Sequence, residues 1–142
     1  MSPKCELAYK GNSRGSAWFD FDNDGDLDEA ISNYQGPGRI FENVQASGNH
    51  WLRLQLEGTR RNRNAIGARV EIRFGKEKRF GQIVSGKGFL SQNPMTLHFG
   101  LGKADKVDEI IVTWPGDSKP RPVNLKKLKL AIDQVNIVTE PG

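Results

Sequence analysis

Apolar and polar side chains alternate at every step along HWLRLQL, residues 50–56. Leucines occupy positions 52, 54 and 56, and Trp51, Arg53 and Gln55 lie between them. A period of two places successive side chains on opposite faces of a β-strand, whereas a helix has a period of about 3.6. The stretch therefore predicts a strand with one buried leucine face, which would lie against the core of the protein.

Other stretches of the chain repeat this alternation. ARVEIRF, residues 68–74, places Val70, Ile72 and Phe74 on one face, and Gly75-Lys76-Glu77 after it predicts a hairpin turn. Gly36-Pro37-Gly38 predicts a second turn. The remaining predicted strands are residues 16–20, 27–33, 39–42, 79–84, 95–99, 109–114, 135–139 and a weaker one at 122–125.

Helical patterns are weak throughout the chain. Residues 125–132 are the only candidate, and KKLKL, residues 126–130, alternates as an edge strand does. Short strands separated by turns rich in Gly and Pro, without helical crossovers, are typical of sandwiches and small barrels. The predicted fold class is therefore all-β, an antiparallel β-sandwich or small barrel.

The charge of the chain divides it into two parts. Residues 1–49 hold four Lys or Arg against eight Asp or Glu, a balance of −4, whereas residues 50–142 hold seventeen against nine, a balance of +8. The polar segment VQASGN, residues 44–49, lies between the two parts. We predict an acidic N-terminal unit at residues 1–47 and a basic β domain at residues 48–142.

Targeting and cysteine signals are sparse. No stretch reaches the roughly 18 apolar residues that a membrane-spanning helix needs, so no membrane insertion is expected. The first 15 residues lack the apolar region of a signal peptide. Cys5 is the only cysteine, so no internal disulfide is expected.

The segment DFDNDGDLD, residues 20–28, carries the strongest chemical signal. Carboxylates occupy every second position of the loop: Asp20, Asp22, Asp24, Asp26 and Asp28. Ca²⁺ prefers six to eight oxygen ligands, and Gly25 permits the sharp turn that brings the chain back over an ion. We predict that the side chains of Asp20, Asp22, Asp24 and Asp28, with the backbone carbonyl of Asp26, hold Ca²⁺.

This loop has two alternative interpretations, an EF-hand and an acidic turn without an ion. It is not a complete EF-hand, because position 12 is Ile31 where an EF-hand has a bidentate Glu, and strands rather than helices flank it. An acidic turn without an ion is the other alternative, and it leaves several carboxylates repelling one another.

Residues 15–28, GSAWFDFDNDGDLD, followed by ISN at 31–33, closely resemble the FG-GAP/VCBS repeat. The rest of the chain resembles the ASPIC/UnbV domain. The matching stretches are residues 49–52 (NHWL), 56–60 (LEGTR), 64–68 (NAIGA), 88–93 (GFLSQN), 97–102 (LHFGLG) and Trp114-Pro115. Together these resemblances imply a calcium-binding hairpin beside a β domain, in a protein that works in adhesion or ligand binding outside the cytoplasm, extracellular or periplasmic.

Two further sets of polar residues are candidates for ligand binding. Arg60, Arg61 and Arg63 form a basic loop that suits phosphate or sulfate, although a solvated turn is the alternative. Ser91-Gln92-Asn93 suits a sugar or peptide pocket, although these side chains also suit backbone hydrogen bonding before Pro94.

The sequence favours a non-catalytic, calcium-stabilised binding or adhesion module that is part of a longer extracellular protein, with a protein or glycan as ligand. One alternative is a polyanion-binding module, for nucleic acid or acidic glycan. Nucleic acid is not favoured, because the basic residues are scattered and few aromatic residues lie among them. A second alternative is an accessory domain of a glycan-active enzyme; no constellation of catalytic residues supports an enzyme.

Overall fold

The computed structural model describes residues 11–44 and 48–142, and Cys5 lies outside these ranges. The described chain forms two compact units. One contains residues 11–44 together with the distant segment 86–94, and the other contains residues 48–85 and 95–142. The first unit thus receives a segment from within the range that the sequence assigns to the second.

The first unit contains a three-stranded antiparallel sheet in the order β1-β2-β3. Its strands are β1 (Ser13–Phe19), β2 (Asp28–Asn33) and β3 (Arg39–Phe41). They match the strands predicted at 16–20, 27–33 and 39–42, apart from three extra residues at the start of β1 and one residue fewer at one end of each strand. The residues between β1 and β2 are the acidic loop, so the sheet holds both of its ends.

The second unit contains two sheets and one short helix. The elements in chain order are β4 (His50–Glu57), β5 (Arg69–Phe74), β6 (Glu77–Gln82), β7 (Thr96–Gly102), β8 (Glu109–Thr113), β9 (Arg121–Pro122), α1 (Leu125–Leu128) and β10 (Val135–Thr139). One sheet has the order β10-β4-β7 and the other β6-β5-β8-β9. The predicted hairpin is confirmed: Phe74 pairs with Glu77 across a turn whose first residue, Gly75, has φ 56°.

One hydrophobic core lies between these two sheets. Leu52, Leu54 and Leu56 of β4 are buried, while the residues between them in sequence are only partly buried. Val70 and Ile72 of β5 belong to the same core cluster from the facing sheet. The predicted all-β class is confirmed: the strands of the second unit form a sandwich of two sheets, and no closed barrel occurs among the described strands.

One strand pair departs from the predicted antiparallel arrangement. β10 runs parallel to β4, with Val135 opposite Arg53 and Thr139 opposite Glu57, whereas every other described pair is antiparallel. Strand direction depends on how a distant part of the chain returns to the sheet. The strand predicted at residues 135–139 is therefore confirmed, but its direction was not predicted.

The alternation of residues 126–130 favours an edge strand, and this prediction is wrong, because no strand forms over these residues. Leu125–Leu128 is one turn of α-helix, and Asn124 caps it by accepting a hydrogen bond from the amide of Lys127 at 3.0 Å. Lys129 ends the helix in a left-handed conformation with φ 53°. Leu125 and Leu128 pack against the core, so a single turn is stabilised by burial that the alternating sequence does not reveal.

Candidate metal centre

The acidic loop closes the β1–β2 hairpin. Phe19 and Asp28 are paired across the two strands, so the intervening residues 20–27 must turn back within a short distance. Asn23 and Gly25 both have positive φ, at 64° and 98°. These left-handed positions fall on residue types that tolerate them, as the sequence predicts for Gly25.

Three of the five predicted carboxylates converge on one point. Each of Asp20, Asp22 and Asp28 offers an oxygen that lies within 4.8 Å of those of the other two. Oxygens that share a Ca²⁺ ion lie about 2.3–2.6 Å from it, so their mutual distances reach up to about 5 Å. The spacing of these three carboxylates therefore fits a common calcium ion.

Asp28 is the most deeply placed member of this group, with 1% of its surface exposed. Its Oδ2 accepts a hydrogen bond from the amide of Phe21 at 2.6 Å, and its Oδ1 accepts from the amide of Asn43 at 2.8 Å. The carboxylate thus ties the beginning of the loop to the segment that follows β3. Because a carboxylate oxygen has a second lone pair, these bonds leave capacity for an ion.

Backbone amides inside the loop orient the other carboxylates. Gly25 donates to Oδ2 of Asp20 at 3.2 Å, and Asp24 donates to Oδ1 of Asp22 at 3.1 Å. Asp26 donates to Oδ1 of Asp24 at 2.9 Å. The amides of this curled loop therefore hold its carboxylates in place, and Asp24 lies outside the group of three.

Asp26 shows how crowded the negative charge is. Burial raises the pKa of Asp26 to about 6, and repulsion from Asp24, Asp28, Asp22 and Asp20 adds to the rise. Its Oδ1 is buried and has no hydrogen-bond partner within the described residues. The sequence predicts that Asp26 binds the ion through its backbone carbonyl. In the structure its side chain also offers a buried carboxylate oxygen. A divalent cation fits this surplus of oxygen ligands and negative charge.

The basic loop forms part of a structural ion-pair network. Nη2 of Arg60 lies 2.6 Å from Oε1 of Glu140 and 3.0 Å from Oδ1 of Asp117. Glu140 is 3% exposed and also accepts hydrogen bonds from the amides of Thr59 and Arg60. Burial alone would raise the pKa of Glu140, but these donors and the Arg60 charge together lower it.

The other two arginines of the loop occupy different surroundings. The guanidinium of Arg61 lies beside Gly116. Arg63 lines a hollow of about 250 Å³ together with Glu57, Asn64 and Thr96. Arg60, Arg61 and Arg63 therefore do not face one common anion site, because Arg60 is directed toward the buried Glu140.

Residues 91–93 lie in the segment that joins the first unit. Oγ of Ser91 donates to the carbonyl of Lys87 at 2.9 Å, and Oδ1 of Asn93 accepts from the amide of Trp18 at 3.0 Å. Gln92 is exposed. Two of the three side chains thus form hydrogen bonds with backbone groups. This is the alternative to a ligand pocket that the sequence also allows.

The sequence did not predict which acidic side chains pair with basic and amide groups in the second unit. Glu140 and Asp117 meet Arg60 across 80 and 57 positions of the chain, and Asp133 accepts from the amide of Trp51 and contacts Nδ1 of His50 at 2.7 Å. Nothing local distinguishes these acids from solvated ones. Only the strand order brings them to their partners.

The helix content of the described residues bears on membrane insertion. Within them, no helix is long and apolar enough to span a membrane.

Comparison with known proteins gives a consistent assignment for the second unit. Residues 58–140 match the protein family described as ASPIC and UnbV. The chain is 34% identical over 119 residues to "Cartilage acidic protein 1" of Homo sapiens, which covers 81% of this chain and 18% of that protein. Against the protein of the same name from Mus musculus it is 32% identical over 144 residues, covering 99% and 21%. The chain thus spans about a fifth of the length of these curated relatives.

Proposed function

We propose that this chain, which belongs to the ASPIC and UnbV family, is a non-catalytic, calcium-stabilised binding or adhesion module of a longer extracellular protein. Family membership rests on the match over residues 58–140, more than half of the chain. The observation that carries the calcium role is the convergence of Asp20, Asp22 and Asp28 within 4.8 Å. Hard-cation chemistry explains an arrangement that would otherwise be a concentration of repelling charges.

Calcium would act on stability through residues that already organise the first unit. Asp28 contacts the amides of Phe21 and Asn43, and Asp20 contacts the amide of Gly25. An ion held by these carboxylates would offset their repulsion while leaving the amide bonds intact. We assign Ca²⁺ a bracing role in the hairpin, as the resemblance of this loop to the FG-GAP/VCBS repeat implies.

The distribution of apolar residues supports a longer protein. Eight of the eleven large hydrophobic residues that are exposed in the described chain belong to the first unit. Among its described residues, 11–44 and 86–94, none belongs to the buried apolar core. A sheet without its own core needs partners to cover its apolar side chains, and the relatives, about five times as long as the aligned region, have the additional chain to do so.

An extracellular location agrees with both the site and the relatives. Extracellular calcium modules bind with Kd of roughly 10⁻⁴–10⁻³ M, which suits a site with a few side-chain ligands and an exposed member such as Asp22. The relatives' name refers to cartilage. Both points favour an environment in which calcium is abundant.

Thermal unfolding with and without calcium tests this proposal. Because calcium binding to the folded state adds stability, we expect saturating calcium to raise Tm by roughly 2–6 °C over a chelator-treated sample. Asp22→Asn keeps an acceptor for the amide of Asp24 but removes a charge, so it should abolish most of the shift. Asp105→Asn is the matched control, since Asp105 is exposed and lies outside the loop. Identical melting of the unmodified chain in calcium and in chelator would refute the calcium role.

A further inference from the structure

The outer face of the sheet β6-β5-β8-β9 carries a hollow of about 500 Å³. Strand register places its side chains on one face: Arg69 is opposite Gln82 and Thr113, and Glu71 is opposite Phe80 and Ile111. The intervening residues of β5 and β8, such as Val70 and Val112, are directed into the core. The hollow therefore lies on the opposite face of this sheet from the core.

Phe80 is the most conspicuous residue of this hollow, because 72% of its surface is exposed. The ring of Phe80 therefore contributes little buried apolar area to the fold and is open to a ligand on this face. The other residues that line the hollow supply a carboxylate, an amide, a hydroxyl and a guanidinium. An apolar ring bordered by several hydrogen-bonding groups is the composition of a small-ligand site.

Among the described residues, some charged side chains on this face form ion pairs, and Arg69 does not. Glu71 pairs with Arg73 at 2.7 Å and lies 3.8 Å from Nζ of Lys78, and Arg73 also pairs with Glu109 at 2.8 Å. Arg69 is exposed and has no ion pair within residues 11–44 and 48–142. The face therefore offers one uncompensated guanidinium beside an exposed ring.

We propose that this hollow binds an anionic glycan, with a sugar ring stacked on Phe80 and its carboxylate or sulfate held by Arg69. The CH groups of a pyranose face suit an aromatic ring, and the guanidinium presents two parallel N–H donors to a planar or tetrahedral anion. Gln82 and Thr113 supply further hydrogen-bonding groups for hydroxyls.

Charge distribution favours a glycan over single-stranded nucleic acid at this hollow. Nucleic-acid grooves follow a backbone with a continuous track of positive charge and several stacking rings. Here Arg73 is already paired and Lys78 lies near Glu71, while Phe80 is the one aromatic residue that lines the hollow. A single ring with a single available cation matches one anionic sugar unit.

Binding of defined oligosaccharides to the full chain tests the proposal. The probes are a hyaluronan octasaccharide (carboxylated), a heparin octasaccharide (sulfated) and neutral cellohexaose, measured by titration calorimetry at low salt. We expect at least one anionic probe to bind. Because heparin carries carboxylates as well as sulfates, binding of hyaluronan assigns the carboxylate, whereas binding of heparin without hyaluronan assigns the sulfate. Phe80→Ala and Arg69→Gln should each weaken that binding by about tenfold or more.

Matched controls are Phe89→Ala and Arg14→Gln, which remove an exposed phenylalanine and an exposed arginine from the first unit. They should bind as the unmodified chain does, and near-unchanged melting of all four variants shows that the fold is retained. Failure of every probe to bind overturns the proposal. So does full binding by either hollow variant, or equal affinity for cellohexaose or a single-stranded oligonucleotide.

The glycan proposal supplies a ligand class for the binding role proposed above, but it does not depend on the calcium loop. Repeating the titration in chelator separates the two. Persistent glycan binding in a chain that calcium fails to stabilise would refute the calcium role alone, whereas calcium stabilisation without glycan binding would refute only the assignment of this hollow.

Discussion

Nη2 of Arg60 lies 2.6 Å from Oε1 of Glu140, so an ion pair joins the loop after β4 to the end of β10. The same carboxylate receives the amide protons of Thr59 and Arg60. The sequence made the basic loop that begins at Arg60 a candidate anion site. In the structure Arg60 instead pairs with Glu140 of the same chain. This contact reinforces the parallel pairing of β4 and β10, because it lies at the end of both strands.

Glu140→Gln should lower the free energy of unfolding by about 1–3 kcal/mol, because hydrogen bonds to a buried charged acceptor are replaced by weaker ones to an amide. Urea unfolding at neutral pH measures the change. Glu77→Gln is the matched control at an exposed glutamate, and it should change stability by less than about 0.5 kcal/mol. Equal stability of the two variants would contradict the structural role of Glu140.

The same pair predicts a dependence of stability on pH. The pKa of Glu140 is lower in the folded chain than its ordinary value of 4.5, so the folded state holds the proton less tightly. Its contribution is therefore complete above pH 4.5 and is lost as the pH falls through the folded pKa. The stability difference between the unmodified chain and Glu140→Gln should shrink from pH 5 to about pH 3. A difference that stays constant over this range would show that Glu140 does not titrate with folding.

Gly58→Ala should destabilise the chain by about 1–3 kcal/mol or more, because an added Cβ meets backbone that cannot yield. The Cβ would overlap the carbonyl oxygen of Asn62, within a loop closed by the hydrogen bond from the amide of Gly58 to the carbonyl of Arg63. Gly100→Ala is the control, since a Cβ at Gly100 would meet nothing within 4 Å. Thermal melting of both variants measures the effect, and a larger loss for Gly100→Ala would contradict it.

Asn124→Ala should lower the free energy of unfolding by about 1 kcal/mol, because the first turn of α1 loses its side-chain cap. Asn64→Ala, at an exposed asparagine in a loop, should cost less. Chemical denaturation of the two variants provides the measurement. If residues 125–128 were the edge strand that the alternation of lysine and leucine favours, removal of the Asn124 side chain would have no such cost.

Much of the β architecture could be predicted because strand formation leaves a local pattern. Leu52, Leu54 and Leu56 alternate with polar neighbours, so both the strand and its buried face are evident before any contact is known. The helix at residues 125–128 was not predicted, for the converse reason. One helical turn is too short to show a helical period, and its stability comes from a cap and from packing.

The candidate calcium site was likewise predictable in part from local sequence and in part only from the folded loop. The spacing of five aspartates in nine residues identified the loop and its turn at Gly25. Which carboxylates meet was not evident: Asp20, Asp22 and Asp28 converge, while Asp24 accepts from the amide of Asp26. The curl of the backbone decides this, since each amide selects the oxygen that it can reach.

Local patterns in the chain predicted the class of fold, the buried faces of the main strands and the position of the acidic loop, because all three depend on residues close together in the chain. Three further relationships became evident only in the folded protein: β10 runs parallel to β4, Arg60 meets Glu140, and Phe80 and Arg69 share a hollow. These relationships join residues that are 11 to 82 positions apart: Arg69 and Phe80 are separated by 11 positions, and Val135 pairs with Arg53 across 82. Such contacts depend on strand order and register, for which neither partner carries a local signal.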